Sequence, residues 1–80
     1  MKDINQRVHE ILVEKLGIVP TQITSDANLV KDLGVDSLDY AELILEFEQT
    51  FDIKIPDNDA EQLETVSDAV HYIHRKMNEN

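Results

Sequence analysis

The sequence predicts an all-α fold, a small four-helix bundle of three longer helices and one short helix, with a long loop between the first and second. Apolar residues recur at helical spacing in three separate stretches, and residues that cap helices stand where those stretches begin. Strand signals are weak, the best being Phe51 to Ile55. Eighty residues allow one domain, spanning 1–80, whose small core leaves little room for an enclosed catalytic cleft.

Asp3 with Gln6 three residues on resembles a capping box, and Ile4, Val8, Ile11 and Leu12 follow at helical spacing until Gly17 supplies a stop. Residues 18–35 keep no period, but Ile23, Leu29 and Leu33 are spaced as anchors that pin a long connection, with a short turn of helix, onto the core. A loop of that length in so small a domain serves function or packs its own side chains. Leu38 to Phe51 forms the second helix, and Pro56-Asp57 followed by Ala60 and Leu63 marks a short third one. Thr65 caps the last helix, whose apolar face is Val66, Ala69, Val70, Ile73 and Met77, with Arg75 and Lys76 near its negative C-terminal end.

Composition excludes several functions. The formal charge of −10 repels nucleic acid and anionic membranes and steers encounter towards basic partners. Nearly all of it lies between Asp36 and Glu64, where Asp36, Asp39, Glu42, Glu46, Glu48, Asp52, Asp57, Asp59, Glu61 and Glu64 face Lys54 alone. The absence of cysteine removes disulfides and thiolate metal sites and fits a reducing compartment. The N-terminal residues lack the apolar run of a signal peptide or membrane span, so a cytoplasmic protein is expected.

The second helix has two apolar faces. At about 100° per residue, Tyr40, Leu43, Ile44, Phe47 and Phe51 fall on one side and suffice for a core stripe. Leu38, Ala41 and Leu45 fall on roughly the opposite side, framed by acids and beginning beside Ser37. Such a stripe suits a docking surface; the plainer reading is scattered exposed apolar residues or packing under the long loop. Glu42 with Glu46 is a like-charge pair with no Lys or Arg nearby in sequence to relieve it.

Ser37 invites two readings. As an N-cap it satisfies orphan backbone donors at the head of the second helix. As a modification site it places a phosphodiester at the positive end of that helix. A nucleophilic role is poorly supported, because His9, His71 and His74 lie on the first and last helices and no Gly-x-Ser-x-Gly elbow is present.

The first helix and the ordered set Asp32-Leu33-Gly34-Val35-Asp36-Ser37-Leu38-Asp39, Glu42-Leu43, Phe51, Ile55-Pro56-Asp57 and Thr65-Val66 resemble the acyl carrier proteins of dissociated, bacterial-type fatty acid synthesis. The resemblance covers essentially the whole chain. It implies that Ser37 carries 4'-phosphopantetheine, transferred from coenzyme A by a phosphopantetheinyl transferase. The thiol of that arm would hold acyl intermediates as thioesters in fatty acid or related lipid or polyketide biosynthesis. The family's protein does no chemistry itself, so the resemblance implies no catalytic residue. By the same resemblance Asp36, Asp39, Glu42 and Glu48 meet basic patches on synthesis enzymes and acyltransferases, Leu38, Ala41 and Leu45 supply apolar contacts, and a monomer is expected. Leu43, Phe47, Ile55 and Leu63 would line a space for the acyl chain, where each sheltered methylene contributes about 0.8 kcal/mol. Tyr40 and Ala41 stand where many housekeeping members have Thr and Val, Glu46 where a small residue is common and Phe47 where an aliphatic one is. These departures leave open a specialised carrier.

Two other classes compete. An acidic interaction module without a prosthetic group would keep Ser37 as a cap and use the acidic helix alone. A calcium-binding loop is poorly supported, because Asp26 to Val30 and Asp57 to Asp59 lack the required sixth-position Gly. His71 and His74 share a face, but without a third ligand no metal site is expected.

Overall fold

The computed structural model describes residues 3–79. It is all helical, with α1 at Ile4–Leu16, a 3₁₀ turn at Pro20–Gln22, α2 at Ser37–Phe51, α3 at Asp57–Ala60 and α4 at Val66–Met77. The expected bundle of three longer helices and one short helix is what the chain forms. Among the described residues there is no strand, only an isolated antiparallel bridge between Asn28 and Thr65. Phe51 belongs to α2, and the weak strand signal that follows it is an irregular link into α3.

Local chemistry sets each helix end. The Asp3–Gln6 box heads α1, with Gln6 N donating to Asp3 Oδ1 at 2.8 Å and Asp3 N to Gln6 Oε1 at 3.2 Å. Gly17 closes α1 in the left-handed region at φ 65°, which lets its amide return to the Val13 carbonyl. Asp52 does the same for α2 at φ 55°, a conformation less comfortable for a residue with a Cβ. Thr65 heads α4 in a box with Asp68.

α1 packs on α2 and α4, and α2 packs on α4. Val8, Ile11 and Leu12 from α1, Leu43 and Phe47 from α2, and Val66, Ala69 and Ile73 from α4 are buried together. Ile23, Ala27, Leu29 and Val35 from the long loop join them, so that loop packs its own side chains. Its backbone is stitched to the start of α4: Leu29 N donates to Glu64 O, Val66 N to Ala27 O and Ser67 N to Ser25 O, at 2.8–3.0 Å. Asn28 Oδ1 then accepts from Val30 N and Lys31 N, while Asp32 Oδ2 accepts from Asn28 N. Gly34 ends this turn at φ 73°, and Val35 N folds back to Leu29 O. The Asp32-Leu33-Gly34 stretch thus aims the chain into α2.

The last helix departs from expectation twice. Met77 is exposed, lying beyond the reach of the core in the final turn. Tyr72 is buried instead, because its hydroxyl donates to Asp59 at 2.7 Å and the Arg75 and Lys76 cations sit 5.4 and 5.9 Å from its ring centre.

Candidate functional site

Asp36, not Ser37, caps α2. Asp39 N donates to Asp36 Oδ1 at 2.8 Å, and Tyr40 N donates to the Asp36 carbonyl at the same distance. Ser37 is the first helical residue and is exposed, and its hydroxyl has no hydrogen-bond partner among the described residues. The amides of Ser37 and Leu38 are likewise unpaired among the described residues, which leaves the positive end of the helix open beside that hydroxyl. A capping role for Ser37 is therefore overturned, since the Asp36 carboxylate one residue earlier already takes the Asp39 amide that a cap would hold.

Two open grooves meet at Ser37. The first, of about 520 Å³, runs between α2 and α3 and is lined by Ser37, Tyr40, Ala41, Ile44, Leu45 and Glu48 on one side and Ile55, Asp57, Ala60 and Glu61 on the other. The second, of about 500 Å³, lies between the end of the long loop and the α3–α4 connection, lined by Asn28, Val30, Lys31, Val35 and Asp36 together with Glu61, Leu63 and Glu64. Ser37, Tyr40 and Glu61 belong to both. Each groove offers apolar side chains under a charged rim, a shape that suits a flexible, mostly apolar ligand tethered at the hydroxyl.

The four residues expected to line an acyl space divide between groove and core. Ile55 lines the first groove and Leu63 the second. Leu43 and Phe47, each 1% exposed, line neither; the helical wheel turns them towards α1 and α4 and leaves Tyr40 and Ile44 at the groove edge. Sequence reasoning did not find Val30, Lys31 or Ala60. The first two sit in an aperiodic loop where hydropathy spacing carries no signal.

The outer face of α2 is apolar as expected, with Leu38 69% and Leu45 53% exposed and Ala41 and Glu42 beside them. Two acids there have internal duties. Glu48 is half-buried and its Oε2 accepts from Ile55 N at 2.8 Å. Glu46 lies 3.5 Å from Lys15 Nζ, so α1 supplies the cation that the acidic run itself lacks. Asp36 and Asp39 flank Ser37 at the helix head.

Tyr40 joins the grooves to the fold. Its hydroxyl donates to the carbonyl of Ala60 and lies 3.1 Å from that of Leu63, and burial raises its pKa above the ordinary phenol value. The Tyr72 hydroxyl is pushed up to about 12, by burial first and then by its bond to Asp59. Asp68 is held below the ordinary carboxyl value by the amides of Thr65 and Glu64.

Residues 6–73 match the family described as phosphopantetheine attachment site. The chain is also 51% identical over 79 residues to an acyl carrier protein of Amoebophilus asiaticus (strain 5a2), with 99% of each chain covered. The chain belongs to the acyl carrier protein family. Its cofactor is 4'-phosphopantetheine, and its role is to carry acyl groups in biosynthesis, not to catalyse their reactions. An exposed hydroxyl without an internal partner, unpaired helix amides and adjoining apolar grooves fit such an arm. Among the described residues no helix is long and apolar enough to cross a membrane, and no group of three or more acidic or histidine side chains converges to hold a metal ion.

Proposed function

We propose that Ser37 is the attachment residue, and that the whole chain acts as one freestanding acyl carrier domain loaded from coenzyme A by a phosphopantetheinyl transferase. The observation that carries this reading is the Ser37 hydroxyl, exposed and unpaired on a helix that Asp36 has already capped. Ser25 and Ser67 offer no comparable setting, since neither lines a groove that holds an unpaired helix head. The arm, when attached, supplies the thiol on which the acyl group travels. Its phosphate would lie beside the Ser37 and Leu38 amides, where helix-end donors favour an anion.

Partner enzymes would read Asp36, Leu38, Asp39, Ala41, Glu42, Leu45 and Glu48 as one surface, acids meeting a basic patch around an apolar stripe. Synthesis enzymes and acyltransferases with basic docking patches are the partners this chemistry selects, in the cytoplasm and with the carrier as a monomer. The interaction-module reading left Ser37 only the role of a cap, which Asp36 fills, and it leaves the family's phosphopantetheine without a place.

The test is intact-protein mass spectrometry after incubation with coenzyme A, Mg²⁺ and a broad-specificity transferase. The natural chain should gain one phosphopantetheine. Ser37→Ala should gain none while its stability changes by less than about 0.5 kcal/mol, as for a surface position without a capping role. A gain in the Ser37→Ala variant, or none in the natural chain under conditions that load a known carrier, overturns the assignment.

A further inference from the structure

We infer that Tyr40 is the residue that limits how long an acyl chain this carrier shelters, by latching α3 over the interior and dividing the space beside Ser37 into two grooves. The inference rests on the Ser37 reading above. Ser37 and Tyr40 are three residues apart on one face of α2, so a group attached to the hydroxyl meets the tyrosine ring first. That ring is part of the wall both grooves share, with Ser37 itself and Glu61. Its hydroxyl has one proton, held between the carbonyls of Ala60 and Leu63 at the far end of α3. α3 has only four residues and no side-chain N-cap. Among the described residues, side chains hold the segment from Ile55 to Leu63 at three places: Glu48 at the Ile55 amide, Tyr72 at Asp59, and Tyr40 at Ala60 and Leu63. Only the Tyr40 tie stands next to Ser37.

Behind the latch lies the core, which neither groove enters at Leu43 or Phe47. Leu43 and Phe47 are buried, and so are Ala60 and Leu63. A short acyl chain finds enough apolar surface along Ala41, Ile44 and Ile55 in the first groove without moving anything. A longer chain gains shelter only if α3 swings away, which breaks the tyrosine's hydrogen bond and leaves two carbonyls to find new partners. A phenol is protonated at neutral pH, and burial raises the Tyr40 pKa further, so the donor is present there.

The experiment loads the chain and its Tyr40→Phe variant with hexanoyl- and tetradecanoyl-phosphopantetheine, checks the mass of each product, and measures thioester cleavage by hydroxylamine. In the natural chain both thioesters should react at similar rates. In Tyr40→Phe the tetradecanoyl thioester alone should become about fivefold slower to cleave, the change expected when one net hydrogen bond stops opposing the opening of α3. On the unloaded variant, amide exchange from Ala60 to Leu63 should rise by about the same factor. Tyr40→Thr, whose hydroxyl is too short to reach Ala60, should repeat both results and covers the case in which the Phe variant does not fold. Full loading with the same chain-length ratio in natural and variant proteins overturns the role of Tyr40 and leaves Ser37 standing. Failure of the natural chain to load overturns both.

Discussion

The two connections that flank α2 are built in opposite ways. The long one, residues 18–35, is held by backbone: its amides and carbonyls bond to the head of α4, and Ile23, Ala27, Leu29 and Val35 are buried in the core. The short one, residues 52–65, also buries Ile55, Ala60 and Leu63, but backbone bonds tie it to the rest of the fold only near its ends, Ile53 N to Glu48 O and Leu29 N to Glu64 O, and between them Glu48, Tyr40 and Tyr72 hold it through side chains. Backbone stitching along a connection opens only when the fold does, whereas side-chain ties break singly. Ser37 stands between the two. With Ser37 as the proposed attachment point, one side of it is a fixed wall and the other a hinged one, and an acyl group would be sheltered by moving the hinged side.

The strongest way to break this contrast is at Leu29. Leu29→Ala removes a buried side chain from the fixed wall and should cost about 2–4 kcal/mol, read as a shift of the global unfolding midpoint with no separate local opening. A small loss confined to residues 25–35 would contradict the fixed-wall reading. Alkaline pH addresses the hinged wall. The folded Tyr72 pKa of about 12 lies above the ordinary phenol value, and that of Tyr40 is also raised. Their contribution is therefore complete below about pH 10 and is lost as pH rises towards about 12, by about 2 kcal/mol for Tyr72. No tyrosine lies in residues 18–35, so exchange in residues 55–63 should rise first in this window. Simultaneous opening of both connections would go against the comparison.

Gly34→Ala comes next. Nothing lies within 4 Å of an added Cβ, but φ 73° strains any side chain, and about 1 kcal/mol should be lost as the turn into α2 loosens. Chemical denaturation measures it; a neutral outcome would mean that the turn readily re-forms without the left-handed residue. The smallest expected effect is that of ionic strength. Added salt or Mg²⁺ should raise the melting temperature by a few degrees as crowded carboxylates from Asp36 to Glu64 are screened. A melting temperature that stays constant from low to high salt would show that this charge is not strained.

Much of the architecture was legible because helices advertise themselves by spacing and caps. The Asp3–Gln6 box, the Gly17 stop and the Thr65 cap each act where the residue types suggested. The exposed stripe Leu38, Ala41 and Leu45 followed from a wheel with more apolar residues than one core face needs. Contacts between elements were not legible. Asp36 displaced Ser37 as the cap because both residue types suit the position and only backbone geometry chooses between them. Glu46 finds Lys15 on another helix, and Glu48 turns inward to a backbone amide seven residues on, neither of which local charge patterning reveals. A tyrosine on a core face did carry a usable signal, since a buried hydroxyl needs an acceptor. Its partners, Ala60 and Leu63, could be named only once α3 was in place.

The most direct measurement compares backbone amide NMR spectra of the unmodified chain and the chain loaded with an octanoyl-phosphopantetheine. The largest shifts should fall on Ser37, Tyr40, Ile44, Ile55 and the stretch Ala60 to Leu63, with Ser25 to Leu29 nearly unmoved. Shifts concentrated in residues 18–35, or a Ser37 amide that does not respond, would contradict an attachment point set between a fixed wall and a hinged one.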